Sequence, residues 1–325
     1  MAGAYKYDWG ARFVDRVPPP LDPVALGTFA ARDASVDARV FRGGIVTDDD
    51  YTLPYRLWMP PSPRAAVLLL HGACDYAGAF DGIFPFFANH QYAVMAYDHR
   101  GFGQTSVRGK WAGSRRMASD IGEASDFLAR RVPNVPVFVV GESMGAALAI
   151  HAAAQGQLFG VSGLVLVAPG ALGSSIRRIA YALLTRALQT LGGSADVFVE
   201  RVAAGDLSSD AAIRLIADPL VLRRITPALL GGLVRLGQRA FDGAEKVAIP
   251  TLTLIGTRED VSALACIRGL HQRFPGDATL QEFEGGPHML LHWKERDAVL
   301  RSIVDWIEKI NAPVQQEQRE AIAAA

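Results

Sequence analysis

The sequence predicts an α/β protein with a mostly parallel eight-stranded sheet and helices on both faces. Short, mostly apolar runs recur at 65–70, 92–97, 135–140, 161–167 and 251–255, as expected of strands buried on both faces. Between them lie stretches with apolar residues at helical spacing, such as Ile121, Ala124, Phe127 and Leu128 within 120–131. Strand and helix patterns alternate in this way along most of the chain, which is the signature of parallel crossovers.

The 325 residues, half of them hydrophobic, suffice for one large core carrying an insertion. Formal charge is zero, so nothing electrostatic points to nucleic acid or acidic lipid. Residues 1–22 hold no continuous apolar stretch and read as neither signal peptide nor membrane span. Two cysteines, Cys74 and Cys266, leave no disulfide framework and fit a reducing compartment, so a cytoplasmic setting is expected. The sequence carries no signal for a particular oligomeric state.

Taken in order, residues 1–35 read as an irregular lead-in. Strands at 40–46 and 52–58 flank the polar turn Thr47-Asp48-Asp49-Asp50 and form an antiparallel pair. The strand at 65–70 leads into His71-Gly72-Ala73-Cys74-Asp75-Tyr76. A helix is expected over 80–90, a buried strand over 92–97 and a tight glycine-bearing loop at Asp98-His99-Arg100-Gly101-Phe102-Gly103. That loop lacks the third glycine of a dinucleotide fingerprint.

After the helix at 120–131, the run 135–140 leads into Gly141-Glu142-Ser143-Met144-Gly145 and an alanine-rich helix. Strand, sharp turn and helix in this order form a nucleophile elbow, in which glycines make room for a turn that lifts Ser143 Oγ above the sheet. The bare G-x-S-x-G pattern is weak, with about 0.2 chance matches expected in a chain of this composition. Its placement between a valine-rich strand and a long helix carries the inference.

The strand at 161–167 is followed by residues 170–247, far more than a simple crossover needs. This insertion reads as a helical cap after the sixth strand. Ile176, Ile179, Leu183, Leu184, Leu188 and Leu191 form one stripe, and a second segment over 219–241 is interrupted by Pro227 and Gly231-Gly232. Such a cap fits two roles, a roof over the mouth of a site or a transient contact with a lipid surface; few arginines and nil net charge favour the roof.

The core resumes over 248–311. The strand from 251 precedes Thr257-Arg258-Glu259-Asp260, with two adjacent carboxylates, and a helix over 262–274. A strand over 278–283 then precedes Glu284-Gly285-Gly286-Pro287-His288. A closing helix over 290–310 and a frayed polar tail, 312–325, complete the chain.

Acyl transfer needs a nucleophile, a base within reach and an acid that orients the base. Ser143, a carboxylate at Glu259 or Asp260, and His288 follow the chain order Ser, acid, His, each just after a strand. Of seven histidines, His288 is chosen because a Gly-Gly-Pro loop can carry its ring back over the sheet; His292 is the runner-up, expected inside the closing helix. His71 reads as a brace for its loop, and His90, His99, His151 and His271 as surface or satisfied core positions. His288 and His292 lack the glutamate of H-E-x-x-H and a third ligand, so neither metal nor cofactor is expected. Ala73 and Met144 are the candidate oxyanion donors, and Cys74 reads as an apolar filler.

His71-Gly72-Ala73 with Asp75-Tyr76, Asp98-His99-Arg100-Gly101-Phe102-Gly103 and Gly141-Glu142-Ser143-Met144-Gly145-Ala146 together resemble the monoacylglycerol lipase and lysophospholipase branch of the α/β-hydrolases, the serine aminopeptidase-like group. Asp218-Pro219-Leu220 and Ile249-Pro250 extend the likeness over roughly 40–310. The resemblance implies that Ser143 is the nucleophile, His288 the general base, and Ala73 and Met144 the oxyanion donors. An ungapped match gives the acid position to Glu259, and a one-residue insertion gives it to Asp260; Glu259 is preferred because Val261 and the following helix stay in register. The chain departs from the family pattern at Cys74-Asp75, where glycine and glutamate are usual, and at Ala79, where arginine is.

The function expected is hydrolysis of small-molecule carboxylic esters with hydrophobic, medium or long acyl chains through an acyl-enzyme. A carbon–carbon or amide substrate for the same triad is the nearer alternative. An inactive hydrolase-fold ligand carrier is the more distant one.

Overall fold

A computed structural model of the chain describes residues 38–171, 197–198, 204–259 and 261–323, the last of these from 313 onward by backbone alone. The lead-in, the stripe from Ile176 to Leu191, and Asp260 lie outside the described residues. The sheet has eight strands: β1 (Arg39–Val46), β2 (Thr52–Met59), β3 (Ala65–Leu70), β4 (Tyr92–Tyr97), β5 (Val137–Glu142), β6 (Val161–Val167), β7 (Thr251–Gly256) and β8 (Ala278–Phe283). Their spatial order is β1-β2-β4-β3-β5-β6-β7-β8. β2 pairs antiparallel with both β1 and β4, and the remaining pairs are parallel.

The apolar runs become the central strands because both sheet faces are covered. Every residue of β3, β4 and β5 is buried. Alternation then sorts side chains to the two faces. Leu68, Leu70 and Val139 point towards α2 (Ser114–Arg131), α3 (Met144–Ala154) and α5 (Pro227–Gly243). Val67, Leu69 and Val140 point towards α1 (Phe84–Asn89) and α7 (Arg296–Ala323). Each leucine so enclosed contributes roughly 1.5–3 kcal/mol relative to exposure. Trp58 stacks on Phe84 with centroids 3.6 Å apart, fastening α1 to the edge of the sheet.

Several expected boundaries shift. The helix expected at 80–90 splits into a 3-10 turn, Ala77–Phe80, and the short α1, because Pro85 favours a fresh helix start at its first turn. Pro227 does not interrupt the second cap segment; it opens α5 behind the N-cap Thr226, whose hydroxyl accepts from Leu229 N–H at 3.2 Å. Gly231 and Gly232 lie inside that helix, and Gly232 leaves room for the Trp111 ring. The helix expected over 262–274 is the shorter α6, Leu264–His271. Residues 290–292 form a separate 3-10 turn before α7, which starts at Arg296 and runs through Ala323, so residues 312–323 of the expected tail continue the helix.

The turn Thr47 to Asp50 does more than reverse the chain. Arg100, from the loop after β4, donates to Asp120 in α2 at 2.8 Å and to Asp49 and Thr47 in the turn, and its guanidinium lies 4.0 Å from the Tyr51 ring centroid. The Arg100 hydrogen bond holds the Asp49 carboxyl well below the usual carboxylate range.

At the β5–α3 junction, backbones touch. A Cβ on Gly145 would lie 2.2 Å from Leu70 O, and one on Gly141 2.6 Å from Ala146 N. These clashes are with main chain, which cannot swing aside. Gly145→Ala is therefore expected to destabilise the fold by about 3 kcal/mol, read as a lowered urea midpoint with unchanged slope.

Candidate active site

The parallel strands β5, β7 and β8 end at one sheet edge, and the loops that follow them meet there. Ser143 occupies the turn from β5 into α3 at φ 54° and ψ −110°. Such a backbone costs a non-glycine residue of order 1–3 kcal/mol and survives only when its surroundings impose it. Here Ser143 N–H donates to Val167 O at 2.9 Å, and Ser143 O accepts from Gly170 N–H at 3.1 Å and Ala147 N–H at 3.0 Å.

His288 reaches the elbow from the loop after β8, with Nε2 2.8 Å from Ser143 Oγ. Its Nδ1 lies 2.8 Å from Glu259 Oε1 and 2.7 Å from Oε2. The carboxylate can only accept, so Nδ1–H donates to it and Nε2 is left with a lone pair for the serine O–H. Glu259 Oε1 also accepts the N–H groups of Val261 and Ser262, each at 2.8 Å. Those bonds fix the carboxylate, which has no exposed side-chain surface; His288 is 7% exposed. Glu259, the first of the two adjacent carboxylates in the sequence, contacts the imidazole, and Asp260 lies outside the described residues.

The turn after β3 flanks this group. A Cβ on Gly72 would sit 3.6 Å from Ser143 Cβ. Among the described residues, neither Ala73 N–H nor Met144 N–H donates to a protein acceptor. Met144 begins α3, so its N–H is one of the open donors at a helix N-terminus.

His71 acts as a brace, as expected: Nε2 accepts His99 N–H at 3.0 Å and Nδ1 bonds Gly72 O at 2.8 Å. Burial pushes its imidazole down to about 4. Next to it, burial pushes the Asp98 carboxyl up to about 6, although Asp98 accepts Ala77 and Gln104 N–H groups at 2.8 Å each. His99 departs from the expectation of a satisfied position. It is buried with both ring nitrogens lacking a partner among the described residues, its ring packed against His71 and Tyr97.

Glu142, a variable position in the elbow pattern, is a residue the sequence reading passed over. Its Oε1 accepts Leu291 N–H at 2.9 Å, and its Oε2 lies 3.2 Å from His292 Nε2. His292 therefore lies in the 3-10 turn ahead of the closing helix and pairs with Glu142, clasping the elbow strand to the turn that follows His288. A signal was present in the acidic residue that ends an otherwise apolar strand. Such a group, once buried, needs a partner.

An elbow serine after the fifth strand, an acid after the seventh and a histidine after the eighth define an α/β-hydrolase. Residues 61–297 match the family model described as serine aminopeptidase, S33. The chain belongs to that family of hydrolases. It is 27% identical to the monoglyceride lipase of Mus musculus, covering 81% of this chain and 89% of that protein. It is 28% identical to the monoacylglycerol lipase of Mycolicibacterium smegmatis, covering 78% and 91%. The crystal structure of Paleococcus ferrophilus monoacylglycerol lipase superposes with a TM-score of 0.64 at 23% identity, over 79% of this chain and 99% of that one, and shows the shared fold.

Glu142→Ala strands the Leu291 N–H and the His292 ring in the interior. It is expected to cost on the order of 3 kcal/mol of stability and to lower kcat about tenfold to a hundredfold with little change in KM. Steady-state kinetics beside urea denaturation would check both.

Acid stability isolates the brace. A folded-state value near 4 for His71, below the ordinary 6.5, stabilises the fold above pH 6.5 and loses that contribution as pH falls from 6.5 to 4. The loss is on the order of 3 kcal/mol. Asp98 acts in the opposite sense over 3.8 to 6, so the wild-type curve alone is blunted. The stability gap between wild type and His71→Gln should shrink by about 3 kcal/mol from pH 6.5 to 4, measured by denaturant titration at each pH.

Proposed function

We propose that the protein hydrolyses carboxylic esters of hydrophobic acyl chains through an acyl-enzyme, in the manner of a monoacylglycerol lipase or lysophospholipase. The observation that carries this reading is the continuous contact from Ser143 Oγ through His288 to Glu259, all within 2.8 Å. Ser143 Oγ attacks the ester carbonyl while His288 Nε2 takes its proton. Glu259 keeps the imidazole in the required tautomer and offsets its charge. The carbonyl oxygen, now negative, turns towards the N–H groups of Ala73 and Met144. Collapse expels the alcohol, which takes the proton from His288. Water then attacks the acyl-serine by the same proton route, releasing the acid and restoring Ser143.

Substrate class is supported by the names of the relatives, monoglyceride and monoacylglycerol lipases. Residues 170–247 serve in this reading as the roof of the acyl site. Its helix α4 (Ser209–Ala217) carries two exposed isoleucines, Ile213 and Ile216, which suit brief contact with a lipid aggregate that delivers substrate.

The test is turnover of p-nitrophenyl and monoacylglycerol esters of graded chain length beside aminoacyl amides and β-diketones, with fluorophosphonate labelling. Wild type should label and prefer medium or long acyl esters. Ser143→Ala should abolish labelling and lower kcat by at least about a thousandfold, and Glu259→Gln by about ten-thousandfold. Preference for the amide or diketone would replace the ester reading, and tight ligand binding without turnover would make the protein a carrier.

A further inference from the structure

Three contacts join the turn after β3 to one stretch of the insertion. Arg214 Nη1 on α4 pairs with Asp75 Oδ1. Tyr76 O–H donates to the Asp218 carboxylate. Leu222 N–H donates to Cys74 O at 2.8 Å. The turn thus receives a side chain or main-chain bond from the insertion at each of three successive residues, Cys74, Asp75 and Tyr76, immediately after Ala73.

The Arg214–Asp75 pair is enclosed, with side-chain exposures of 12% and 4%. Asp75 Oδ1 also accepts Tyr76 N–H at 3.1 Å, so one carboxylate closes the turn and binds the insertion. Buried ion pairs contribute little net stability compared with apolar side chains of the same volume, because desolvation offsets the attraction. What such a pair does supply is a fixed geometry. The turn needs one: Cys74 stands at φ 68°, a left-handed conformation unfavourable to a side-chain-bearing residue, and the direction of the Ala73 N–H depends on that backbone.

We infer that Arg214 and Asp75 are a positioning pair through which the insertion aims the Ala73 N–H at the oxyanion. The inference rests on the ester-hydrolase reading, in which Ala73 is a donor. It makes the insertion part of the catalytic alignment as well as a cover. A second anchor of α4 provides the contrast. Arg296 Nη1 donates to Ser208 Oγ at 2.8 Å and to the Asp210 carboxylate at 3.0 Å, holding the same helix to the core without touching the turn.

The experiment compares full-length Arg214→Met, Arg214→Lys, Asp75→Asn, the Arg214→Met/Asp75→Asn double variant and Arg296→Met. The readouts are kcat and KM on a p-nitrophenyl ester, and inhibition by an alkyl trifluoromethyl ketone whose tetrahedral adduct places an oxyanion in the hole. Arg214→Met should lower kcat about thirtyfold and ketone affinity in parallel, with KM within about threefold. Lysine should recover most of the loss, and Asp75→Asn should match Arg214→Met. The double variant should be no worse than either single change, since both break one link. Arg296→Met should stay within about twofold of wild-type kcat.

The inference is overturned if Arg214→Met keeps wild-type kcat, if only KM moves, if Arg296→Met loses as much, or if the two single losses multiply. Should Arg214→Met fail to give a native circular-dichroism spectrum, Asp75→Asn decides by the same criteria. A wild type that turns over no ester refutes the underlying reading instead. Wild-type turnover unchanged in Arg214→Met refutes this inference alone.

Discussion

The site depends on a serine held where an ordinary residue does not rest. Ser143 sits at φ 54° and ψ −110° because β5 and α3 are both buried and must join without a loop. Main chain of β3 lies within clash distance of the helix start, so the junction is clamped from both sides, and glycines at 141 and 145 are what make the approach sterically allowed. Burial of hydrophobic surface drives the strand and the helix into place; the strained residue between them is carried by that larger free energy.

Around this elbow, buried polar groups act mainly as fasteners. Glu142 ties the elbow strand to the turn after His288. Glu259 is held by two backbone N–H groups before it meets the imidazole. His71 and Asp98 brace the loops on the other flank through main-chain bonds. Each of these would be costly if left unpaired in a dry interior, so each constrains its partners strongly. The consequence is a serine, an imidazole and a carboxylate aligned before any substrate arrives, which is the condition for efficient proton transfer. Arg214 and Asp218, from the stretch between β6 and β7, join this system through the same kind of enclosed contact, at Asp75 and Tyr76.

Much of this was legible in the chain. Strands buried on both faces read as nearly continuous apolar runs, so β3 and β4 stand out by composition, and the elbow is marked by glycines that sterics demand. Boundaries were less legible. Pro227 reads as an interruption, yet Thr226 caps the helix that proline begins, and the distinction lies in one side-chain hydrogen bond. The acidic turn at Thr47 to Asp50 reads as solvated polarity, whereas Arg100 reaches it from the loop after the neighbouring β4.

The sequence by itself determined the fold class, the positions of Ser143 and His288 along it, and the presence of a carboxylate at 259 or 260, because hydrophobic period and turn chemistry are local properties. Only the tertiary structure decided that Glu259 meets the imidazole, that His292 serves Glu142, and that Arg214 crosses to Asp75. Those are pairings between residues 29 to 150 positions apart. Their partners are selected by where the sheet brings the loops together and by the cost of leaving a buried charge alone, and neither is written in any short stretch of chain.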